Sequence, residues 1–245
     1  MRTMPRWPLA LLSALLPFAA TAEPAGYSLD PVHTRVLFAV SHAGFSDALG
    51  TISGSRGQLW FDPDDWSSAK LAVTVPVARF DLGDPGWNRA VGKRSLLDVG
   101  AHPVATFVSS RIEPQGADKA RVCGMLTLRE VGREVCMDVV FHQLKRHPLP
   151  PFHRTAGFSA TATLSRSAFG ITTWPTVIGD AVQLRIEAEA VADAGVRAET
   201  IAPPALDNAQ PPPEQAAPLP APPSTRAQED TPPAEAEPAP LPETP

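Results

Sequence analysis

Few residues in this 245-residue chain have the type and spacing that chemistry requires. Asp30 and His33 form the one acid/base pairing close in sequence; at the mouth of a pocket, a carboxylate orienting an imidazole is the minimum for general acid/base work. Arg166 shares the inward parity of Leu164, so its guanidinium must meet an anion or carbonyl oxygens, because a buried unpaired charge is costly. It either holds a ligand head group such as a phosphate, or pairs with Asp30 or another carboxylate to lock the fold; the structural pair is the favoured reading. His42 is inward by the same count and is expected as a hydrogen-bonded core histidine.

Other chemistry-bearing groups point to no reaction. His142, His147 and His153 gather around a proline-rich connection with no His-Glu-x-x-His or paired cysteine motif, so no metal site is expected. There is no Gly-x-Ser-x-Gly elbow, Walker loop or dinucleotide fingerprint, so no cofactor is expected either. Cys123 and Cys136 sit on neighbouring predicted strands and on the same face. Direct opposition would require residues 129 and 130 to face each other without a loop; a two-residue loop is read as leaving the cysteines diagonal, roughly 7–8 Å apart. That exceeds the usual disulfide reach, so two unpaired thiols are predicted.

The elements that position these residues are strands. Val182, Leu184, Ile186, Ala188 and Ala190 share one parity and Gln183, Arg185, Glu187 and Glu189 the other, the pattern of a half-buried antiparallel strand. Similar alternation runs through 36–42, 71–77, 122–128, 135–141 and 158–164, with weaker strands at 58–61 and 105–112 and turn signals between them, giving about eight strands. Asp84 as N-cap and Pro85 at the first helical position open a segment in which Trp87, Val91, Arg94 and Leu97 have helical spacing, read as a short covering helix. Eight such strands bury their apolar faces as a sandwich or as a closed barrel. Small inward residues, Gly124, Ala160, Ala162, Ala188 and Ala190, favour a barrel with an unfilled lumen.

The motifs along this frame resemble those of YceI-like proteins. They are Tyr27-Ser-Leu-Asp30-Pro-Val-His33 continuing to Phe38 and His42; Gly50; Gly57 to Asp62; Leu97-Asp98 with His102-Pro103 and Thr106-Phe107; Gly124 to Leu128; and Arg166-Ser-Ala-Phe169-Gly170. The resemblance implies an all-β, eight-stranded antiparallel lipocalin-like barrel, periplasmic, whose lumen binds a polyisoprenoid or other long amphipathic lipid, with no established catalytic residues. The chain departs from the family pattern at Leu96-Leu97, where an aromatic pair is common, and in the segment 88–93, where an acidic residue and a histidine are common. Independently of the family, sequestering an apolar chain stabilises it by about 25 cal/mol per Å² removed from water. Parity marks Phe38, Val40, Leu59, Phe61, Phe107, Leu126, Phe141, Phe158 and Leu164 as candidate lining residues, joined at the ligand by His42, Arg166 and Phe169. The same parity also supplies plain core.

Both ends of the chain read differently. Residues 1–22 carry Arg2 and Arg6 before an apolar stretch ending Ala20-Thr21-Ala22, the pattern of a cleaved signal peptide, with an uncleaved anchor as the alternative. The domain is expected over 23–193. Residues 194–245 read as a disordered Pro/Ala/Glu tail, since 203–245 holds 15 of the 29 prolines and carries a net charge of −6. What lies between leader and tail is nearly neutral, which excludes the basic footprint of a nucleic-acid binder. The expected function is a non-enzymatic periplasmic lipid carrier. The alternatives are a lipid-acting enzyme using Asp30 and His33 at the barrel mouth, and an accessory quinone binder that reaches a membrane-protein partner through the tail.

Overall fold

A computed structural model describes residues 23–206. The expected leader and the tail from 207 onward lie outside the described residues. Among the described residues, eleven strands form one antiparallel sheet: β1 (Ala25–Leu29), β2 (Arg35–His42), β3 (Ser46–Ser53), β4 (Arg56–Phe61), β5 (Lys70–Val75), β6 (Phe80–Asp81), β7 (Ala105–Pro114), β8 (Lys119–Leu128), β9 (Val131–Arg146), β10 (Arg154–Ser165) and β11 (Ile178–Ala192). Strands β1, β4, β5, β7, β8, β9, β10 and β11 pair in that order around a ring, and β1 returns to β11 through Tyr27 opposite Ala192, so the barrel is closed with eight walls. Two walls are bent strands in two halves. β1 and β2 both pair with β11 on either side of the turn at 31–33. β3 and β4 meet at a bend where Gly54 has φ 84°, a backbone that favours glycine. All eight alternating segments lie on strands except for Pro76 and Val77, the second of which falls in a short 3-10 turn; β1 and β3 are the halves that alternation did not single out.

β5 is short, and above Val75 the wall between β3 and β7 is replaced by residues 76–104. β6 pairs there with β3, and α1 (Pro85–Val91) follows. The Asp84 carboxylate accepts from the Trp87 amide at 2.8 Å, which is the expected cap. The helix is shorter than its apolar spacing implied. It stops at Val91, and Arg94 and Leu97 lie in turns held by Leu97 N–H to Val91 O (3.0 Å) and Asp98 N–H to Lys93 O (3.0 Å).

The interior divides into two storeys. The lower is solid: Phe61 is the hub of an aromatic plug, with edge-on contacts to Trp66 at 5.2 Å, Phe141 at 5.3 Å and Phe158 at 5.3 Å. Tyr27, Leu59, Ala156 and Ala190 complete it. The small inward residues work differently from their expected role. A Cβ at Gly124 would collide with the β7 backbone and the Phe107 ring, and one at Gly50 with the Phe38 ring. These positions give their volume to neighbouring rings, and of the five small residues only Ala162 borders open space.

Two expectations about the chain are corrected. Cys123 and Cys136 are joined, with Cα atoms 4.0 Å apart. Arg129 and Glu130 both have positive φ, 50° and 65°, as in a type I′ two-residue loop closed by Leu128 opposite Val131. Counting back from that pair puts Cys123 opposite Cys136 at a non-hydrogen-bonded site, where strands approach closest. The diagonal placement miscounted the loop. The unreduced protein is therefore expected to show no titratable thiol under denaturing conditions. The ordered domain also continues past Asp193. Val196 is buried, the Lys70 ammonium donates to Ala198 O (3.1 Å), and the Thr74 hydroxyl donates to Pro204 O (2.6 Å). This strap covers the outer face of β5, where Ala72 and Thr74 are buried.

Candidate functional site

The upper storey is a cavity of about 410 Å³ with an overwhelmingly apolar lining. That volume lies at the lower end of the range for small-molecule sites, roughly 300–1,000 Å³. Eight sequence-predicted residues line it: Phe38, Val40, His42, Phe107, Leu126, Leu164, Arg166 and Phe169. The other four do not. Leu59, Phe61, Phe141 and Phe158 share the inward parity but sit lower, in or against the plug. Phe107 belongs to both storeys and forms the floor between them.

Alternation missed the roof. Trp87, Val91, Leu96 and Leu97 reach the cavity from α1 and the turns after it, and Ile171, Trp174 and Val177 from the segment joining β10 to β11. Side chains pin this roof to the barrel and tie its two segments together. The Arg129 guanidinium donates to Leu96 O (2.7 Å), the Thr173 hydroxyl to Ser95 O (2.7 Å) and the Arg133 guanidinium to Ala168 O (3.0 Å). The one roof signal in the sequence was the capped helix at Asp84.

Arg166 is buried at 7% exposure, and its partner is neither Asp30 nor another carboxylate. Its guanidinium donates to four main-chain carbonyls: Gly179 (2.9 Å) from Nε, Ile171 (2.7 Å) and Thr173 (2.9 Å) from Nη1, and Ile178 (2.7 Å) from Nη2. Two of these carbonyls belong to the irregular loop before β11 and two to the first residues of β11, ahead of its register shift, and one five-donor fork serves all four. His42 is also corrected: it is half-buried at the mouth, its ring 5.4 Å from that of Trp87.

Asp30 and His33 do pair, with His33 Nδ1 2.7 Å from the Asp30 carboxylate. They lie beside Glu189 on the outward face of β11, away from the cavity, so the pair is not at the barrel mouth. Hydrogen bonding to Asp30 holds the His33 pKa above the usual histidine value. Burial alone would raise Asp30, but hydrogen bonds from the His33 ring and the Val32 and His33 amides outweigh it and leave its pKa lowered. The histidine contribution to stability is complete below the unfolded-state value, about 6.5, and fades as pH rises through the raised folded value; the aspartate contribution is complete above about 3.9 and fades as pH falls through the lowered one. A His33→Ala variant is thus expected to lose a little stability near pH 5, and the gap in urea midpoint should close as pH rises past the folded His33 pKa. The pair is surface-exposed, so the gap is small. Asp30, His33 and Glu189 are also the one group among the described residues with metal-ligand proximity. Of the three clustered histidines, His142 hydrogen-bonds Ser159 (2.7 Å), which in turn donates to Glu187, so the histidine is not between serine and carboxylate as a relay requires.

The family model of the YceI-like domain matches residues 27–190. The chain belongs to this family. A UPF0312 protein of Pseudomonas savastanoi is 32% identical over 165 residues, which covers 66% of this chain and 84% of that protein. Another from Ectopseudomonas mendocina is 30% identical over 185 residues, 75% of this chain and 95% of its own length. Among solved structures, BcnA of Burkholderia cenocepacia superposes with a TM-score of 0.59 at 28% identity, covering 66% of this chain and 98% of BcnA. A polyisoprenoid binding domain from Saccharophagus degradans superposes with a TM-score of 0.54 at 14% identity, covering 69% and 99%. At that identity the second likeness concerns the fold alone.

Proposed function

We propose that this YceI-like protein is a non-enzymatic carrier of an isoprenoid or similar amphipathic lipid, held by its apolar chain in the upper lumen. The apolar cavity of about 410 Å³ carries this reading. Such a lining offers many dispersion contacts and few polar ones, and it matches a chain rather than a polar metabolite. A polyisoprenoid-binding domain on the same fold supports the ligand class. Phe38, Val40, Phe107, Leu126, Leu164 and Phe169 are the chain contacts, with His42 at the mouth and Arg166 anchoring the wall. A periplasmic location is supported by the leader pattern at 1–22 and by the Cys123–Cys136 disulfide, since such bonds persist in oxidising compartments.

Solvent extraction of protein purified from its native envelope, followed by mass spectrometry, is expected to release one class of prenyl or acyl lipid. An empty lumen that also takes up no prenyl lipid in vitro would sink the reading. The floor sets a second expectation. Phe107→Ala opens the cavity toward the plug, and it should shift retention in a mixed-chain competition toward longer prenols.

A further inference from the structure

Four large apolar side chains stand exposed around the cavity mouth. Phe45 is 92% exposed, Trp174 55%, Trp87 43% and Val177 39%. Isolated exposed apolar residues need no explanation, but these form one rim. Trp87, Trp174 and Val177 also line the cavity. Phe45 is tied to them through the β2–β3 turn: its amide donates to His42 O (3.1 Å), the His42 ring packs on Trp87, and the Ala43 amide donates to Val177 O (2.6 Å). The two turns that carry Phe45 and Trp174 hold Ala43 at φ 52° and Trp174 at φ 50°, which side-chain-bearing residues adopt only at a cost. Packing does not require Phe45 to be apolar.

We propose that this rim docks on a lipid bilayer, and that the docked mouth is where an apolar chain passes between the membrane and the lumen. The second half of the proposal rests on the lumen holding a lipid. Aromatic rings that are part apolar and part polar settle at headgroup depth, which suits Trp87 and Trp174 beside a fully apolar Phe45. The rim borders the apolar cavity, so docking continues the membrane's apolar phase into the cavity and spares the chain a passage through water. Exposed charges near the rim in sequence, Asp47, Asp84, Arg89 and Lys93, are of both signs. The docking is therefore apolar, and it needs no anionic lipid and depends little on salt.

The test uses the chain from 23 to 245, which keeps the closed barrel and strap and omits the apolar leader. With phosphatidylcholine vesicles it should co-sediment, and Phe45→Ser should lower the partition coefficient about tenfold, the cost of withdrawing one large apolar side chain. Phe45 does not line the cavity, so uptake of a short, water-dispersible prenol from solution should be unchanged, while transfer of a fluorescent prenyl lipid from vesicles should slow. Leu149→Ser with Phe152→Ser is the control. Those residues are 63% and 50% exposed on the β9–β10 connection, away from the mouth, and their loss should leave sedimentation unaltered. Vesicle binding that is absent, indifferent to Phe45 or lost in the Leu149/Phe152 variant overturns the proposal. Rim-dependent sedimentation without any prenol uptake supports the docking surface and removes the lumen reading instead.

Discussion

Replacing Arg166 by methionine is expected to destabilise the barrel by about 3–5 kcal/mol, the cost of taking charge-assisted hydrogen bonds away from several carbonyls at once. The reason is the carbonyls. Without the guanidinium, the oxygens of Ile171, Thr173, Ile178 and Gly179 lose the donor that holds the 171–179 segment against the wall. Each carbonyl left buried and unpaired costs about 1–3 kcal/mol, moderated where water reaches the segment. The urea midpoint should fall with little change in slope. Arg166→Lys should rescue little, because an ammonium has three donors on one atom and cannot span four carbonyls. The same variants separate two roles. A residue reserved for a ligand head group would leave the unfolding midpoint in place and weaken lipid retention alone.

What was legible in the sequence follows from the period of the strand. Alternation from Val182 to Ala190 reads directly as inward and outward faces, and a wall on each of eight segments leaves few ways to close. Height along the barrel is another matter. Phe38 and Phe158 satisfy the same parity, yet one lines the cavity and the other packs on the plug, because parity records the face and not the storey. The roof was hidden for a different reason. Leu96, Ile171 and Trp174 sit on irregular backbone with no period to read, held by side-chain bonds such as Arg129 to Leu96 O. Even Arg166 was legible only in part: its burial followed from parity, while its partners are carbonyls of the loop before β11 and of the irregular start of that strand, which no period marks. The strap after Asp193 was obscured by composition, since proline-rich sequence reads as solvated chain although Pro204 O accepts from Thr74.

Phe61→Ala, at the hub of the plug, is expected to cost about 3–5 kcal/mol, the range for deleting a buried aromatic ring. Phe61 is 1% exposed and touches three other rings, so the void cannot collapse without moving Trp66, Phe141 and Phe158 together. The edge-on pairs add to the loss, at about 0.5–1.5 kcal/mol each. Phe61→Leu should recover part of this by refilling volume without the ring contacts. The cavity above belongs to a separate storey, and its floor is Phe107 rather than Phe61. Below the lowered melting temperature, Phe61→Ala should therefore still take up prenol with near-native affinity, whereas Phe107→Ala should change which chain lengths it keeps. Equal loss of prenol uptake and of stability in Phe61→Ala would show that the plug is itself part of the ligand site.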